Sequence, residues 1–415
     1  MTGKMSLQDA ALAIVRQLRE HGHQALWAGG CVRDMLLNRP PQDIDIATDA
    51  TPERIVSLFR KTRKVGMQFG VVLVRQGPYW IEVATFRQDI NYTDGRRPEQ
   101  VLFTTAEEDA KRRDFTINGL FYDPLEDRVI DYVGGREDLA AGVVRAIGNP
   151  AERFAEDHLR MLRAVRFAAR FGFRLDPSTA EAIREHAHQL TRISPERIRE
   201  ELEKMLSHPT RARAVEQMAE LGLMPFLWAG AAWPAERVRM AGAVLAQLPA
   251  DADFVLGMAA LLHDASPAEV EAVGRALRCS NREIDDMAWL VSRQGCLART
   301  QDLALADFKR LAAHPQFKKL MILHKAVCTA YGRPLDGYEA AERLIRLIPA
   351  DQIAPPPLVT GDDLIGLGLS PGPAFKTILD TLYTAQLNNQ LRSRDEAMNR
   401  LGEILRQAGQ GREAL

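Results

Sequence analysis

Gly29-Gly30-Cys31-Val32-Arg33-Asp34-Met35-Leu36-Leu37 is followed shortly by Asp43-Ile44-Asp45-Ile46-Ala47-Thr48. Two aspartates one residue apart in an apolar run predict a strand, in which residues i and i+2 share a face. Asp43 and Asp45 then project together, about 7 Å apart along the strand. Paired carboxylates so placed suit hard divalent cations such as Mg²⁺, which take oxygen ligands and keep substrate phosphates in their shell. Upstream, Gly29-Gly30 follows the apolar Ala25-Leu26-Trp27-Ala28 and precedes a helix-like Val32–Leu37 segment. Backbone N–H groups at a glycine turn and helix start cradle phosphate, and Arg33 adds a bidentate cation. Glycine turn, arginine and D-x-D strand together point to nucleotidyl-transfer chemistry.

The totals set the frame. At 415 residues the chain exceeds one core and predicts two to four domains. With 46% apolar and 26% charged residues it reads as globular rather than disordered. No apolar run approaches the ~18 residues that span a bilayer. The amphipathic Met1–Glu20 does not read as a signal peptide. Cys31, Cys279, Cys296 and Cys328 are far apart without metal-ligand spacing, which fits a reducing cytoplasm. A net charge of −1 does not advertise nucleic acid, but a local basic face is enough to hold phosphates.

In chain order, residues 6–22 predict a helix, Ala25–Ala28 a strand, and Thr51-Pro52 the start of a second helix. Val71–Val74 and Trp80–Phe86 predict a hairpin, so the head combines helices with a mostly antiparallel or mixed sheet. Alternation puts Glu82, Ala84 and Phe86 on one face, with Glu82 a candidate third carboxylate or an ordinary exposed glutamate. Gln88–Val101 is polar and turn-rich, which predicts a mobile loop over the site. In Arg112-Arg113-Asp114-Phe115-Thr116-Ile117-Asn118-Gly119, an arginine can reach triphosphate oxygens and Asp114 or Asn118 a ribose hydroxyl. From Ala151 the chain reads as helical. Asp157, Arg160, Arg163 and Arg166 recur at spacings that predict one polar stripe on a helix, which by spacing alone is an ordinary solvated face.

Gly29-Gly30-x-x-Arg33-Asp34-x-Leu36-Leu37 with Asp43-x-Asp45 resembles the head motif of the class II tRNA nucleotidyltransferases. That family, in the polymerase β superfamily, holds the CCA-adding enzymes and the bacterial poly(A) polymerases. The resemblance extends over roughly residues 25–210. Arg112–Gly119 is similar to the family's R-R-D-x-T-x-N-A, with Gly119 in place of alanine. Residues 88–101 resemble its flexible loop, and Asp131-Tyr132-Val133-Gly134-Gly135-Arg136-Glu137-Asp138-Leu139 its third motif. Glu156-Asp157-x-x-Arg160 through Arg166-Phe167 resembles the helix that reads the incoming base, which gives the stripe a function. A donor-only Arg160 beside an acceptor-only Asp157 matches the amine and ring nitrogen that cytosine and adenine share. Ser194-Pro195-Glu196-Arg197 resembles the fifth motif, which braces the neck.

The resemblance implies an α+β fold: an N-terminal nucleotidyltransferase head (1–148) of mixed sheet and helices, then an all-α neck (149–210), body (211–350) and tail (351–415). It implies addition of C and A to the tRNA 3′ end from CTP and ATP, with two Mg²⁺ ions on Asp43 and Asp45. One would activate the 3′-hydroxyl and the other stabilise the leaving pyrophosphate. Gly29, Gly30, Arg33 and Arg113 would hold the triphosphate, Asp114 or Asn118 the ribose, and Asp157, Arg160, Arg163 and Arg166 the base and phosphate pocket. The expected partners are the tRNA 3′ end and acceptor region, without a membrane. Rivals are a poly(A) polymerase, an enzyme adding only A or only CC, and a catalytically inactive RNA-binding module. Gly66-x-x-Phe69-Gly70 favours the CCA branch, and intact Asp43 and Asp45 speak against a pure binder.

Further on, Leu261-Leu262-His263-Asp264 has the dipeptide of HD phosphohydrolases but lacks a convincing partner set, so His263 is expected at the end of a buried helix. Lys309-Arg310, His314, Lys318-Lys319 and His324-Lys325 form the densest basic run, either phosphate-contacting or merely solvated. Pro349–Pro357 reads as a linker. The glycine-rich Thr360–Pro373 is expected to offer N–H groups to a backbone phosphate.

Overall fold

The computed structural model describes residues 5–92, 98–228 and 232–410. They fall into two compact units, one running up to Gly242 with 250–254 and 273–279, the other made of 243–249, 255–272 and 280 onward.

In the first unit, α1 (Leu7–Glu20) starts at a Ser6–Asp9 capping box and buries Ala10, Ala11, Ile14, Val15 and Leu18, as its periodicity requires. Then come β1 (Ala25–Ala28), α2 (Gly30–Leu36), β2 (Asp45–Thr48) and α3 (Pro52–Leu58), the last capped by the Thr51 hydroxyl. They are followed by β3 (Thr62–Arg63), β4 (Val71–Gln76), β5 (Tyr79–Thr85), β6 (Arg87–Tyr92), β7 (Pro98–Phe103), α4 (Ala106–Lys111), β8 (Leu120–Asp123), β9 (Arg128–Asp131) and α5 (Gly135–Ala141). The sheet runs β3-β4-β5-β2-β1-β8-β9, with β2 and β5 parallel and the other pairs antiparallel. This is the expected mixed sheet.

Register decides where the chemistry goes. Ala47 lies opposite Ala84 across the parallel pair, so two residues back Asp45 falls beside Glu82 on the same face. Further along that face Leu26, Ala28, Ala47, Phe86 and Phe121 pack under Ala106 and Ala110 of α4. Phe86 therefore shares the face of Glu82 and Ala84 but is covered, while they stay at the open end. Asp43 differs from expectation in one respect: the strand begins at Asp45, and Asp43 precedes it. Buried Ile44 still separates two exposed aspartates, so the alternation survives.

The polar segment expected as a mobile loop is an antiparallel pair, β6 with β7, in its described parts; residues 93–97 lie outside the described residues. Ile90, Tyr92, Val101 and Phe103 supply β-forming residues that the polar composition obscured.

The helical part is interrupted early. β10 (Val143–Val144) pairs in parallel with β11 (Arg174–Leu175), around α6 (Pro150–Glu156) and α7 (Arg160–Phe171). Asp157, expected on the same helix as Arg160, is instead the extended C-cap of α6. After α8 (Pro177–His186), α9 (Pro195–Leu206) and α10 (Arg211–Glu220) come α11 (Ala235–Ala246), α12 (Phe254–Leu261), α13 (Pro267–Ala276), α14 (Asn281–Arg293), α15 (Leu305–Ala312), α16 (Phe317–Ala330), α17 (Asp336–Leu347), α18 (Gly361–Gly366), α19 (Pro373–Leu387) and α20 (Arg394–Gln410). No described helix is long and apolar enough to cross a membrane.

In the second unit, His263 follows α12, buried, with Nδ1 on the Ala260 carbonyl and Nε2 2.8 Å from the Tyr331 hydroxyl. The basic run does not form one face. Lys309 is buried against Asn389, His324 is buried against the Gln294 carbonyl, and His314 stacks on Trp289 at 3.7 Å. At Thr360, expected to offer N–H groups to phosphate, a capping box sends the backbone N–H to Asp363 at 2.8 Å. Val359, Leu364, Leu382, Ala397 and Leu401 give this end its own apolar cluster.

Candidate active site

A cavity of about 660 Å³ opens on the uncovered part of the sheet face, and its walls come from residues between Ala28 and Arg170. All twelve residues singled out in the sequence line it: Gly29, Gly30, Arg33, Asp43, Asp45, Arg113, Asp114, Asn118, Asp157, Arg160, Arg163 and Arg166. Glu82 lines it as well.

The carboxylates hold one end. Asp45 reaches the open cavity, yet desolvation by the surrounding wall pushes its carboxyl up to about 6, and repulsion from Glu82 and Asp43 adds to it, against the pull of Arg113. Glu82 is raised too, by burial first and Asp43 next, with Arg87 opposing. Crowded like charges of this kind are relieved by a cation. Among the described residues no three His, Cys, Asp or Glu side chains converge as a closed metal cluster. Asp43 and Asp45 are oxygen donors of the kind that hard divalent cations take.

Next to them, Gly29 turns with φ +72° and hands the chain to α2. A Cβ at Gly29 would lie 2.5 Å from Arg113 Nη1, so the glycine is required twice, by conformation and by space. Arg33 is 5% exposed and almost fully engaged. It donates to Asp34 Oδ1 at 2.9 and 2.8 Å and to Asn118 Oδ1 at 2.5 Å, and its guanidinium lies over the rings of Phe167 and Phe171 at 5.1 and 4.6 Å. It is as much a pin between α2 and α7 as an open phosphate ligand.

The network continues across the cavity. Asn118 donates to Asp114 Oδ1 at 3.0 Å, and Arg163 donates twice to Asp114 Oδ2 at 2.8 and 2.6 Å. With the Phe115 N–H at 2.9 Å, Asp114 accepts four donors, about its full capacity. Burial raises its carboxyl, but Arg163, Asn118 and Arg160 outweigh it and leave Asp114 at about 2. Asn118, engaged by Arg33 on its oxygen and with Asp114 through its nitrogen, belongs to the same network.

Asp157 and Arg160, expected to read the base, are held from separate directions. Asp157 Oδ2 accepts from Arg197 at 2.7 Å and Oδ1 from the Leu159 N–H at 3.0 Å. Arg160 donates to Glu156 at 2.5 Å, to the Arg153 carbonyl at 3.0 Å and to the Arg112 carbonyl at 3.2 Å. Arg166 donates to Glu201 on α9 at 2.6 Å. The expected continuous stripe is thus a cluster assembled from the α6–α7 break, α7 and α9. The α9 segment does brace it, although Ser194 makes no side-chain cap.

Sequence reasoning passed over Gln42, Arg87 and Arg170, which also line the cavity, and Asp109, which orients Arg113; it placed Arg197 in the bracing motif without assigning it or Glu201 a partner in the pocket. Asp109 had a legible signal, an acid three and four residues before Arg112 and Arg113 on a helix. Arg197 and Glu201 had none specific to the pocket, since their partners are far away in the chain.

Residues 25–145 match the family described as Poly A polymerase head domain, and 172–230 the one described as probable RNA and SrmB-binding site of polymerase A. The CCA-adding enzyme of Geobacillus stearothermophilus is 36% identical over 399 residues, 93% of this chain and 94% of that protein. The crystal structure of the Bacillus stearothermophilus CCA-adding enzyme in complex with CTP superposes with a TM-score of 0.83 at 33% identity, covering 98% of this chain and 100% of the other. The Thermotoga maritima CCA-adding enzyme complexed with tRNA_CCA shares the fold, with a TM-score of 0.69 at 20% identity over 95% and 94% of the two chains. Nucleotidyltransferases of this kind are generally metal-dependent. The chain belongs to the CCA-adding enzyme family of tRNA nucleotidyltransferases.

Proposed function

We propose that this enzyme adds C and A to the 3′ end of tRNA from CTP and ATP without a nucleic-acid template. One observation carries the reading: Asp157 and Arg160 line the same cavity as Asp43 and Asp45. The groups that would select the base and those that would carry the reaction share one cavity, with no second strand needed to specify the nucleotide. Arg113, steadied by Asp109, and the Gly29-Gly30 turn seat the triphosphate. Arg33 supports from behind, and Asn118 meets the ribose. Arg163 and Arg166 hold the pocket's charge in place through Asp114 and Glu201. Asp43 and Asp45 are the residues that would hold magnesium, which would favour ionisation of the tRNA 3′-hydroxyl and offset charge on the departing pyrophosphate.

We divide the chain by role into a catalytic head (1–148), a neck (149–210), a body (211–350) and a tail (351–415) that contacts tRNA. The cysteines Cys31, Cys279, Cys296 and Cys328 are free, which suits work in the reducing cytoplasm. The test supplies labelled CTP or ATP with tRNAs ending before C, CC and CCA. Stepwise completion that stops after the final A is expected. Unlimited A addition would instead assign a poly(A) polymerase, and failure at one step an A-only or CC-only enzyme.

A further inference from the structure

Asp109 lies outside every motif read from the sequence, yet the end of α4 and the start of β6 meet on its carboxylate. It sits on α4 and is 1% exposed. Its Oδ1 accepts Arg112 Nε and Nη2 at 2.9 and 2.7 Å, and its Oδ2 accepts Arg113 Nε and Nη2 at 3.3 and 3.1 Å. Oδ1 also accepts the Arg87 backbone N–H, at 3.2 Å, where β6 begins. The Arg112 carbonyl in turn receives Arg160 at 3.2 Å.

A buried acid between two arginines can serve stability alone. The orientation it imposes argues for more. With Nε and Nη2 of Arg113 on Asp109, Nη1 turns to the Asn118 carbonyl at 3.3 Å and lies against Gly29. The Phe121 ring, 5.1 Å from the guanidinium carbon, supports the group. The cation is thus fixed at the glycine turn and within electrostatic reach of Asp45, where a triphosphate has to lie for its α-phosphorus to be attacked. A free arginine side chain would have to be ordered at each binding event; one already clamped does not.

We propose that Asp109 is a positioning residue for nucleotidyl transfer: it holds Arg113 at the glycine turn, so that the incoming triphosphate and the leaving pyrophosphate meet a fixed cation. The inference rests on the reading of Arg113 as a triphosphate ligand given above.

The experiment compares the full chain with its Asp109→Asn, Arg113→Ala and doubly substituted forms, measuring kcat and KM for CTP and ATP and inhibition by pyrophosphate. Losing hydrogen bonds to a charged group predicts a rise of about 10- to 100-fold in KM for both nucleotides in Asp109→Asn. Pyrophosphate inhibition weakens in parallel, and the preference for C and A over U and G stays. The double variant is no worse than Arg113→Ala, because Asp109 acts through Arg113. If Asp109→Asn does not fold, Asp109→Ser, which leaves room for water beside both guanidiniums, is read in the same way. A lowered unfolding midpoint with unchanged KM and unchanged pyrophosphate inhibition overturns the proposal and leaves Asp109 a structural ion pair. Additive losses in the double variant overturn it too. An Arg113→Ala enzyme with normal KM removes the triphosphate reading itself and the proposal with it, so the two failures are distinguishable.

Discussion

Asp45 is under two opposed pressures, crowding by Glu82 and Asp43 and attraction by Arg113. An acid kept in such a place is expected to hold a cation. Asp45→Ala is predicted to abolish addition of both nucleotides in the labelled-nucleotide assay, with tRNA affinity retained. Asp157→Asn tests base selection. Both Asp157 oxygens already accept donors, so the amide nitrogen leaves one donor unmatched and presents an N–H where only lone pairs stood. Incorporation of UTP or GTP relative to CTP and ATP, from kcat/KM for all four nucleotides, is expected to rise. Asp114 offers a thermodynamic check. Its folded pKa, about 2, lies below the ordinary aspartate value of 3.8, so its ionised form stabilises the fold above pH 4 and that contribution fades as pH falls through 2. Asp114→Asn is expected to cost about 2 kcal/mol in chemical denaturation at pH 7, with the deficit shrinking between pH 4 and 2. The identities at these positions were readable because carboxylate spacing and the R-R-D order are local. The saturation of Asp114 by Arg163 was not, since it joins residues 49 apart in the chain.

The break between α6 and α7 shows how much an element boundary decides. Periodicity merged Asp157 with Arg160 because i, i+3 spacing is consistent with one helix. Pro150 starts α6 and Asp157 ends it with extended backbone. Short helices and caps outrank periodicity over so short a run. The helices and strands with strong local signals, α1, α3 and the β4–β5 hairpin, appear where they were expected; the β6–β7 pair was hidden by its polar composition. On α9, the buried Glu201 and the half-exposed Glu203 provide an internal comparison. Glu201 takes Arg166 at 2.6 Å, whereas Glu203 meets Arg199 at 3.7 Å near solvent. Glu201→Ala strands a buried guanidinium and is expected to cost about 3–5 kcal/mol in urea unfolding. Glu203→Ala is expected to cost under about 1 kcal/mol.

Across the whole molecule, every residue of the cavity wall lies between Ala28 and Arg170, inside the first compact unit. Truncation after Pro349 is therefore predicted to leave the KM for CTP unchanged while weakening tRNA binding and flattening its salt dependence. Filter binding over a salt series beside CTP kinetics checks this; unchanged affinity at every salt concentration removes the tail from the tRNA contact. The two-unit division was not legible from composition, because the units exchange short segments along the chain. The sheet order has a further consequence, for synthesis. Inside the sheet, β1 pairs Trp27 with Tyr122, and Arg166 meets Glu201 only after α9 exists. Residues are made in chain order, so a nascent chain stopped before α7 holds the carboxylates without the part of the wall that carries Arg160, Arg163 and Arg166. The pocket is then complete only once α9, near the middle of the 415-residue chain, has been made, and a shorter nascent chain lacks part of its support.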